Sequence, residues 1–393
     1  MHLYDRETSQ QIDQKLIELG NSQELLIMRA ANAIFDYFFL NSVKTIWCVA
    51  GPGNNGSDAT AVACLARMKS KKVNLVQLGT DYQAPSPLLS NLTRALGVEI
   101  YKNIPPRNEI KKGDLIIDGI LGTGANRVPK SEISNAIDWI NQAKGKAQII
   151  SIDIPSGINC SSGEIFSKAV KADKTVMCLT PKQGCYTSSA PDFTGSLNFA
   201  NLGFKSPEKL VPGSSRLLTT DAIKMVERPK TSYKNSLGKV LVLGGWENME
   251  GAAVLVARSA IKSGAGKVYL CGANVKERTP EIIGVLRNLE DYYKILHTVD
   301  CVIAGPGLGE NADQYLEATW EAKVPLVLDA DGLRWLRKKN PKKRRSTLIA
   351  TPHTGEAEIL LGSTIKNRFE ALNKLCSTYG GQWVLKGAGT LIG

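Results

Sequence analysis

The sequence predicts an α/β protein of two successive blocks, each a mainly parallel sheet covered by helices on both faces. Three observations predict it. Short, near-continuous β-branched and aliphatic runs alternate with helix-length stretches, the pattern of strands buried on both faces. Most of these runs end in a glycine-rich or acidic loop. The alternation breaks at residues 206–216, which are rich in Ser, Pro and Gly, and resumes after Gly238. The 393 residues suffice for two domains, taking about 150 residues for each.

The elements follow in order. Two helices open the chain, and Ser22 is placed to cap the second, which runs through Leu25, Leu26, Met28 and Ala30 to Phe38. A strand over Thr45–Ala50 leads into a helix over 56–69, where Ala59, Val62, Ala63 and Ala66 share one face. Strands then fall at Val73–Leu78, Leu115–Asp118, Gln148–Asp153 and Lys174–Leu179, with a helix over 130–142. The second block offers strands at Val240–Gly244, Lys267–Cys271, Cys301–Ala304, Leu326–Asp329, Leu348–Thr351 and Trp383–Lys386, with helices in the gaps. The expected division is residues 1–205, a linker over 206–216, and residues 217–393.

Composition narrows the function classes. Hydrophobic residues are 43% and charged residues 22%, as in soluble globular proteins. No apolar run reaches the ~20 residues of a membrane helix, and residues 1–14 are too polar for a secretory signal. Eight cysteines stand singly without a C-x-x-C pair, which reads as buried thiols in a reducing compartment. A cytoplasmic chain that meets no membrane is expected. The net charge is +12, with Lys338, Lys339, Lys342, Lys343, Arg344 and Arg345 clustered about Pro341. That run reads as a solvated loop, and few aromatics interleave with the basic residues, so nucleic acid is not an expected partner. The only histidines are His2, His297 and His353, which makes a Ser-His-Asp or His-based metal site hard to build, and only His353 lies in a motif-like setting.

The chemistry concentrates at strand ends. Gly51-Pro52-Gly53-Asn54-Asn55-Gly56 satisfies G-x-G-x-x-G after a strand, the layout of a dinucleotide turn. The residues between the glycines argue otherwise. Pro52 lacks an N–H, and Asn54, Asn55 and Asp58 put oxygens where an anion needs donors. A carboxylate ~4 Å from a phosphate costs about 4 kcal/mol at an effective dielectric of 20. The acid a dinucleotide site wants after the second strand has only Asp81 as a candidate, two residues past Gly79. Two more strands end in acids, Asp118 before Gly-Ile-Leu-Gly-Thr-Gly-Ala-Asn-Arg-Val and Asp153 before Ile-Pro-Ser-Gly. Ligands of open α/β sheets bind at that edge, so Asp58, Asp118 and Asp153 define a polar pocket.

Asn54-Asn55-Gly56-Ser57-Asp58, Leu121-Gly122-Thr123-Gly124-Ala125-Asn126-Arg127 and Asp153-Ile154-Pro155-Ser156-Gly157 together resemble the NAD(P)H-hydrate epimerase family over roughly residues 1 to 205. The resemblance implies a Rossmann-like three-layer αβα sandwich that takes hydrated NADH or NADPH (NADHX, NADPHX). It implies K⁺ held by Asn55, Asp118 and Ser156. It further implies substrate contacts from Asn54, Asn55, Gly56, Ser57, Asp58, Gly122, Thr123, Gly124, Ala125, Asn126, Arg127, Val128 and Asp153. Epimerisation at the carbinol carbon needs a titrating carboxylate, and Asp153 is the candidate. Ser57 and Ala59 replace two glycines of the family loop; if either position needs φ > 0, its Cβ costs on the order of 1 kcal/mol.

In the second block, the Gly-rich turn at 244–252, Gly305-Pro306-Gly307-Leu308-Gly309, Asp329-Ala330-Asp331-Gly332, Thr351-Pro352-His353-Thr354-Gly355-Glu356 and Lys386-Gly387-Ala388-Gly389-Thr390 occur in series. As a series they resemble the ADP- or ATP-dependent NAD(P)H-hydrate dehydratases, of ribokinase-like fold. That implies hydrate contacts from Ala252, Gly307 and His353, and ADP (or ATP, with Mg²⁺) at Lys386, Gly387, Ala388, Gly389 and Thr390. Trp246-Glu247-Asn248 and Thr354 depart from the family pattern. The family's Gly-Gly-Ser/Thr-Gly-Asp anion-hole segment does not occur before Gly393. Either dehydratase catalysis is absent or the native protein is longer, by on the order of 100 residues for a domain of usual size. The expectation is a bifunctional nicotinamide-nucleotide repair protein and a homo-oligomer. The alternatives are a NAD-dependent dehydrogenase, a catalytically dead binding module with an epimerase-like pocket, and a ribokinase-like small-molecule kinase.

Overall fold

The computed structural model describes residues 1–37, 43–79, 86–224, 227–246, 248–272 and 280–393. Phe38, Asp81 and Glu247 lie outside the described residues. The chain divides into two compact units, Met1–Ile223 and Lys224–Gly393.

The first unit opens with β1 (His2–Leu3) and α1 (Arg6–Glu18), whose entry is fixed by a reciprocal capping box between Asp5 and Thr8. Ser22 caps α2 (Gln23–Asp36), accepting from Leu25 N. There follow β2 (Thr45–Ala50), α3 (Asn54–Met68), β3 (Lys72–Gln77), α4 (Pro87–Ala95), β4 (Glu99–Tyr101), β5 (Leu115–Gly119), α5 (Ser131–Gln142), β6 (Gln148–Ile152), β7 (Lys174–Cys178), α6 (Pro191–Thr194), β8 (Ser196–Ala200) and β9 (Ser215–Arg216). β2 to β8 form a seven-stranded parallel sheet in the order β4-β3-β2-β5-β6-β7-β8. Its two faces carry separate apolar layers. Ile46, Cys48, Leu75, Ile117 and Ile150 pack with α2 and α3, while Trp47, Val49, Ile116 and Ile149 pack with α5.

The expected linker is not one. Ser215 and Arg216 pair with Leu3 and His2 as β9 on β1, and Ser214 and Ser215 both donate to Gln183 Oε1. Paired backbone and these half-buried hydroxyl contacts place 206–216 in the first unit, so the division falls after Ile223.

The second unit runs β10 (Lys239–Leu243), α7 (Glu250–Ser263), β11 (Lys267–Cys271), β12 (Ile282–Val285), α8 (Leu289–Leu296), β13 (Cys301–Ala304), α9 (Asp313–Glu321), β14 (Leu326–Leu328), α10 (Asp331–Lys339), β15 (Leu348–Ala350), α11 (Thr354–Leu361), α12 (Arg368–Tyr379), β16 (Gln382–Leu385) and β17 (Leu391–Ile392). The sheet order is β12-β11-β10-β13-β14-β15-β16-β17, parallel except at β17. Leu241, Val302, Leu326, Leu348 and Trp383 face a thick core built with α8 to α12. On the other face α7 packs over Val242, Val268 and Leu270, while Ile303, Val327, Ile349 and Val384 stay half-buried.

The basic run is structural at its centre. The Arg344 guanidinium donates to the carbonyls of Thr319, Trp320, Ala322 and Val324, closing the end of α9 where helix carbonyls lack partners. Lys338 and Lys339 pair with Asp313, and Lys339 also with Glu317. All eight cysteines are free thiols. Among the described residues no helix is long and apolar enough to cross a membrane.

Candidate active site

In the first unit the strand order runs outward in both directions from β2 and β5, so the loops after them splay apart and open a crevice. The loops after β2, β5 and β6 meet there.

The first loop is tight because backbone meets backbone. A Cβ on Gly51 would lie 1.9 Å from Ile120 O, and one on Gly56 would lie 1.8 Å from Gly51 O. The glycine spacing is therefore a packing requirement of the turn. Gly53 is the N-cap of α3, and Asn54 to Asp58 form its first turns. Asn54 is exposed and accepts from Gln23 Nε2 at 3.1 Å. Asn55 is buried, and its amide donates to Leu121 O (3.0 Å) and Ile152 O (3.3 Å), tying the three loops together. Ser57 and Ala59 lie buried inside α3 with no positive φ, so the two replacements of glycine carry no backbone strain.

The second loop begins at Asp118, which is fully buried. Its Oδ2 accepts from Ser151 Oγ (2.7 Å) and Ser156 N (2.9 Å), and its Oδ1 from Ser156 Oγ and Ile120 N. Burial pushes the Asp118 carboxyl above its ordinary range, opposed by those hydrogen bonds. Among the described residues no ion pair reaches it, and Ser156 is joined to it directly. Gly122 packs on Asn55, 3.1 Å from a virtual Cβ to the Asn55 Cβ. Thr123 and Ala125 are half-buried, while Gly124, Asn126, Arg127 and Val128 are exposed along the rim.

The third loop begins at Asp153, which takes φ +68°. A non-glycine residue in that region costs about 1 kcal/mol, held here by its surroundings. Asp153 Oδ1 accepts from Cys178 N (3.0 Å) and meets Lys182 Nζ at 2.5 Å. The Lys182 side chain is 3% exposed, and its ammonium also donates to Cys178 O (2.7 Å) and Thr180 O (2.8 Å). Burial works against the Lys182 charge, but the Asp153 carboxylate and its hydrogen bond hold the pKa above the ordinary value. Asp58 behaves oppositely. Burial first, then the charges of Asp153 and Asp13, drive its pKa well above the usual carboxylate range, with Lys182 opposing.

Lys182 was not singled out in the sequence. The signal was present: Thr180-Pro181-Lys182-Gln183-Gly184 follows the strand next to the one that ends at Asp153.

In the second unit the expected residues fall into two groups at the carboxyl ends of the strands. Gly307 (φ +63°) packs on α7, where its virtual Cβ would lie 2.8 Å from Met249 O and 3.4 Å from the Ala252 Cβ. His353 bridges Lys386 in the backbone, caps α11 through Nδ1 and Glu356 N (3.2 Å), and keeps a side chain 61% exposed. Lys386 Nζ is paired with Asp329 Oδ1 at 2.9 Å. Gly387, Ala388, Gly389 and Thr390 are exposed, yet the buried Arg368 holds their loop by donating to the carbonyls of Leu385, Lys386, Ala388 and Gly389. Arg368, like Lys182, went unnoticed in the sequence.

The two units thus define a crevice-bearing parallel α/β protein with a carboxylate pocket, followed by a second parallel α/β unit with a glycine-rich loop. Residues 23–184 match the family described as YjeF-related protein N-terminus, and residues 240–393 match the family described as NAD(P)H-hydrate dehydratase. The chain is 34% identical to the bifunctional NAD(P)H-hydrate repair enzyme Nnr of Coxiella burnetii, over 99% of this chain and 83% of that protein. It is 32% identical to the Escherichia coli protein of the same name, over 88% of this chain and 69% of that protein. It is 30% identical to a bifunctional NAD(P)H-hydrate repair enzyme of Leishmania major, over 93% and 74%. An ADP/ATP-dependent NAD(P)H-hydrate dehydratase from Bacillus subtilis, co-crystallised with ATP and Mg²⁺, is similar over 42% of this chain and 64% of its own, with 28% identity and a TM-score of 0.38. The chain belongs to the bifunctional NAD(P)H-hydrate repair enzymes.

Proposed function

We propose that the first unit epimerises the hydrated nicotinamide of NADHX and NADPHX, and that the second binds ADP or ATP with Mg²⁺ for dehydration of the S epimer. The observation that carries the first half is the pair of carboxylates with opposite surroundings. Burial and neighbouring negative charge push the Asp58 pKa well above the usual carboxylate range, favouring its acid form, while Asp153 is matched to the Lys182 ammonium. Two acids in unlike environments divide acid and base roles. Asp58 passes a proton to the C6 hydroxyl, the C6–O bond breaks, and water leaves. The N1 lone pair forms the C6=N1 iminium. Water then adds to either face of C6 and gives a proton to the Asp153 carboxylate, and proton exchange with solvent returns Asp58 to its acid form and Asp153 to its carboxylate. Asn54 to Asp58 and Gly122 to Val128 line the opening for the substrate.

The buried Asp118 carboxylate supports a cation site. Its hydrogen bonds are complete but no positive side chain offsets its charge among the described residues, and the surrounding donors are hard oxygens. Asn55, Asp118 and Ser156 would hold K⁺, which would order the three loops. In the second unit Ala252, Gly307 and His353 would meet the hydrate. Lys386 and the 387–390 loop would meet the nucleotide. Phosphorylation of the C6 hydroxyl would turn a poor leaving group into a good one. The protein is taken as a cytoplasmic homo-oligomer acting on small molecules.

The test supplies mixed NADHX epimers with ADP, K⁺ and the full chain, with and without an added S-specific dehydratase. Complete NADH recovery only with the added enzyme establishes epimerisation. Recovery of half the substrate without it establishes dehydration alone. No change in either arm overturns the repair reading.

A further inference from the structure

Lys182 lies outside the motifs that the resemblance rests on, yet it is a buried ammonium at the pocket. Its side chain is 3% exposed, against 16% for Asp153. An ammonium has three N–H donors. Here they go to Asp153 Oδ1, Cys178 O and Thr180 O, so the amine is fully committed and points at one oxygen of one carboxylate. Asp153 Oδ1 also accepts from Cys178 N. Both of those contacts fall on Oδ1, and among the described residues Oδ2 shows no hydrogen bond. A carboxylate in a strained φ +68° backbone is thereby clamped by one oxygen, which leaves the other uncommitted to protein hydrogen bonds among the described residues.

We infer that Lys182 is a positioning residue for the epimerase reaction, which fixes Asp153 by Oδ1 so that Oδ2 alone handles the substrate proton. The inference rests on the epimerase reading of the pocket. Other titratable groups bear on Asp153 from the elements around it: Asp13 on α1, Asp58 on α3, and the thiols of Cys160, Cys178 and Cys185. Lys182 supplies the ammonium among them. Without it, Asp153 would face Asp58 and Asp13 with no adjacent cation, and proton binding to it would be favoured.

The test uses the full chain as Lys182→Met and Lys182→Gln. Gln keeps a donor but removes the charge. Both variants are expected to lower kcat for epimerisation at least tenfold while KM stays within a few-fold, and to move the acidic limb of the pH profile upward. A lysine serving only the fold would lower Tm and leave the pH profile in place, and that result overturns the inference. A second readout needs no activity. With ¹³C-labelled aspartate, the Asp153 carboxyl resonance, assigned by its loss in Asp153→Asn, should titrate at higher pH in the Lys182 variants than in the parent chain. If that shift occurs in a chain with no epimerase activity, the repair reading fails while the clamp stands. If activity is present and neither kcat nor the titration moves, the clamp fails while the repair reading stands. Should Lys182→Met not fold, Lys182→Gln decides by the same two readouts.

Discussion

At the scale of single residues, the pocket sets Asp58, whose pKa is pushed upward, against Asp153, which is paired with an ammonium, and two substitutions test the proposed division of acid and base. Asp153→Asn keeps shape and removes the base. Epimerisation should fall by about 10²–10⁴-fold, the usual share of one acid–base group, with substrate affinity little changed in a binding measurement. Asp58→Asn should do something different. The folded pKa of Asp58 is raised from 3.8 by burial and by the Asp153 and Asp13 charges. A group raised in this way stabilises the fold below its unfolded pKa, and that contribution is lost as pH rises towards the folded value. Asparagine resembles the protonated acid and carries no such penalty. The Tm of Asp58→Asn should match the parent near pH 4 and exceed it increasingly towards pH 8, while epimerisation is lost. Equal melting differences at all pH values would show that Asp58 is not held protonated.

Among the elements, two glycine-rich loops owe their shape to contacts of different origin. The first is legible in sequence, because Gly51 and Gly56 mark close backbone approaches and the strand before them is read to the residue at Thr45–Ala50. The loop of the second unit is only half legible. Its glycines are visible, but its fixing group is Arg368, the first residue of α12, some twenty residues earlier in the chain. The structural roles of Lys182 and Arg344 are hidden in the sequence for the same reason. Each acts on backbone carbonyls or a carboxylate brought near by folding, and no local spacing announces such a partner. Short edge strands such as β4 and β8 escape for another: Glu99–Tyr101 has three residues with two exposed, and Ser196–Ala200 is mostly half-buried, so neither presents a buried run. Arg368→Ala should free four carbonyls and leave the 386–390 loop unanchored. The second unit should lose about 3 kcal/mol, of the order of one or two charge-assisted hydrogen bonds, seen as a lower denaturant midpoint. Binding of ADP, followed by calorimetry, should weaken at least tenfold. An unchanged ADP affinity in a folded variant would remove the loop from the nucleotide site.

In the whole molecule, each unit completes its own sheet and core. In the first, the seven-stranded sheet carries apolar layers on both faces, and β1 pairs with β9 across more than two hundred residues of chain. The strand that closes the unit thus lies within the segment expected to be a linker, which explains why a division drawn from composition alone falls too early. Residues 1–205 would omit β9 and the Ser214 and Ser215 hydroxyls that meet Gln183, next to Lys182. A chain ending at residue 223 should therefore fold with the Tm of the first unit in the intact protein, and one ending at residue 205 should melt lower. The longer piece should also report on the cation site without any substrate. If K⁺ offsets the buried Asp118 charge, it binds the folded chain and not the unfolded one, and each tenfold rise in K⁺ above its Kd adds about 1.4 kcal/mol of stability. Asp118→Asn should abolish that response while retaining a folded unit, and Li⁺, too small to span the same oxygens, should not reproduce it. A Tm that is indifferent to K⁺ in the residue 1–223 piece, with Asp118 intact, would leave the carboxylate stabilised by its hydrogen bonds alone and would take the metal out of the site.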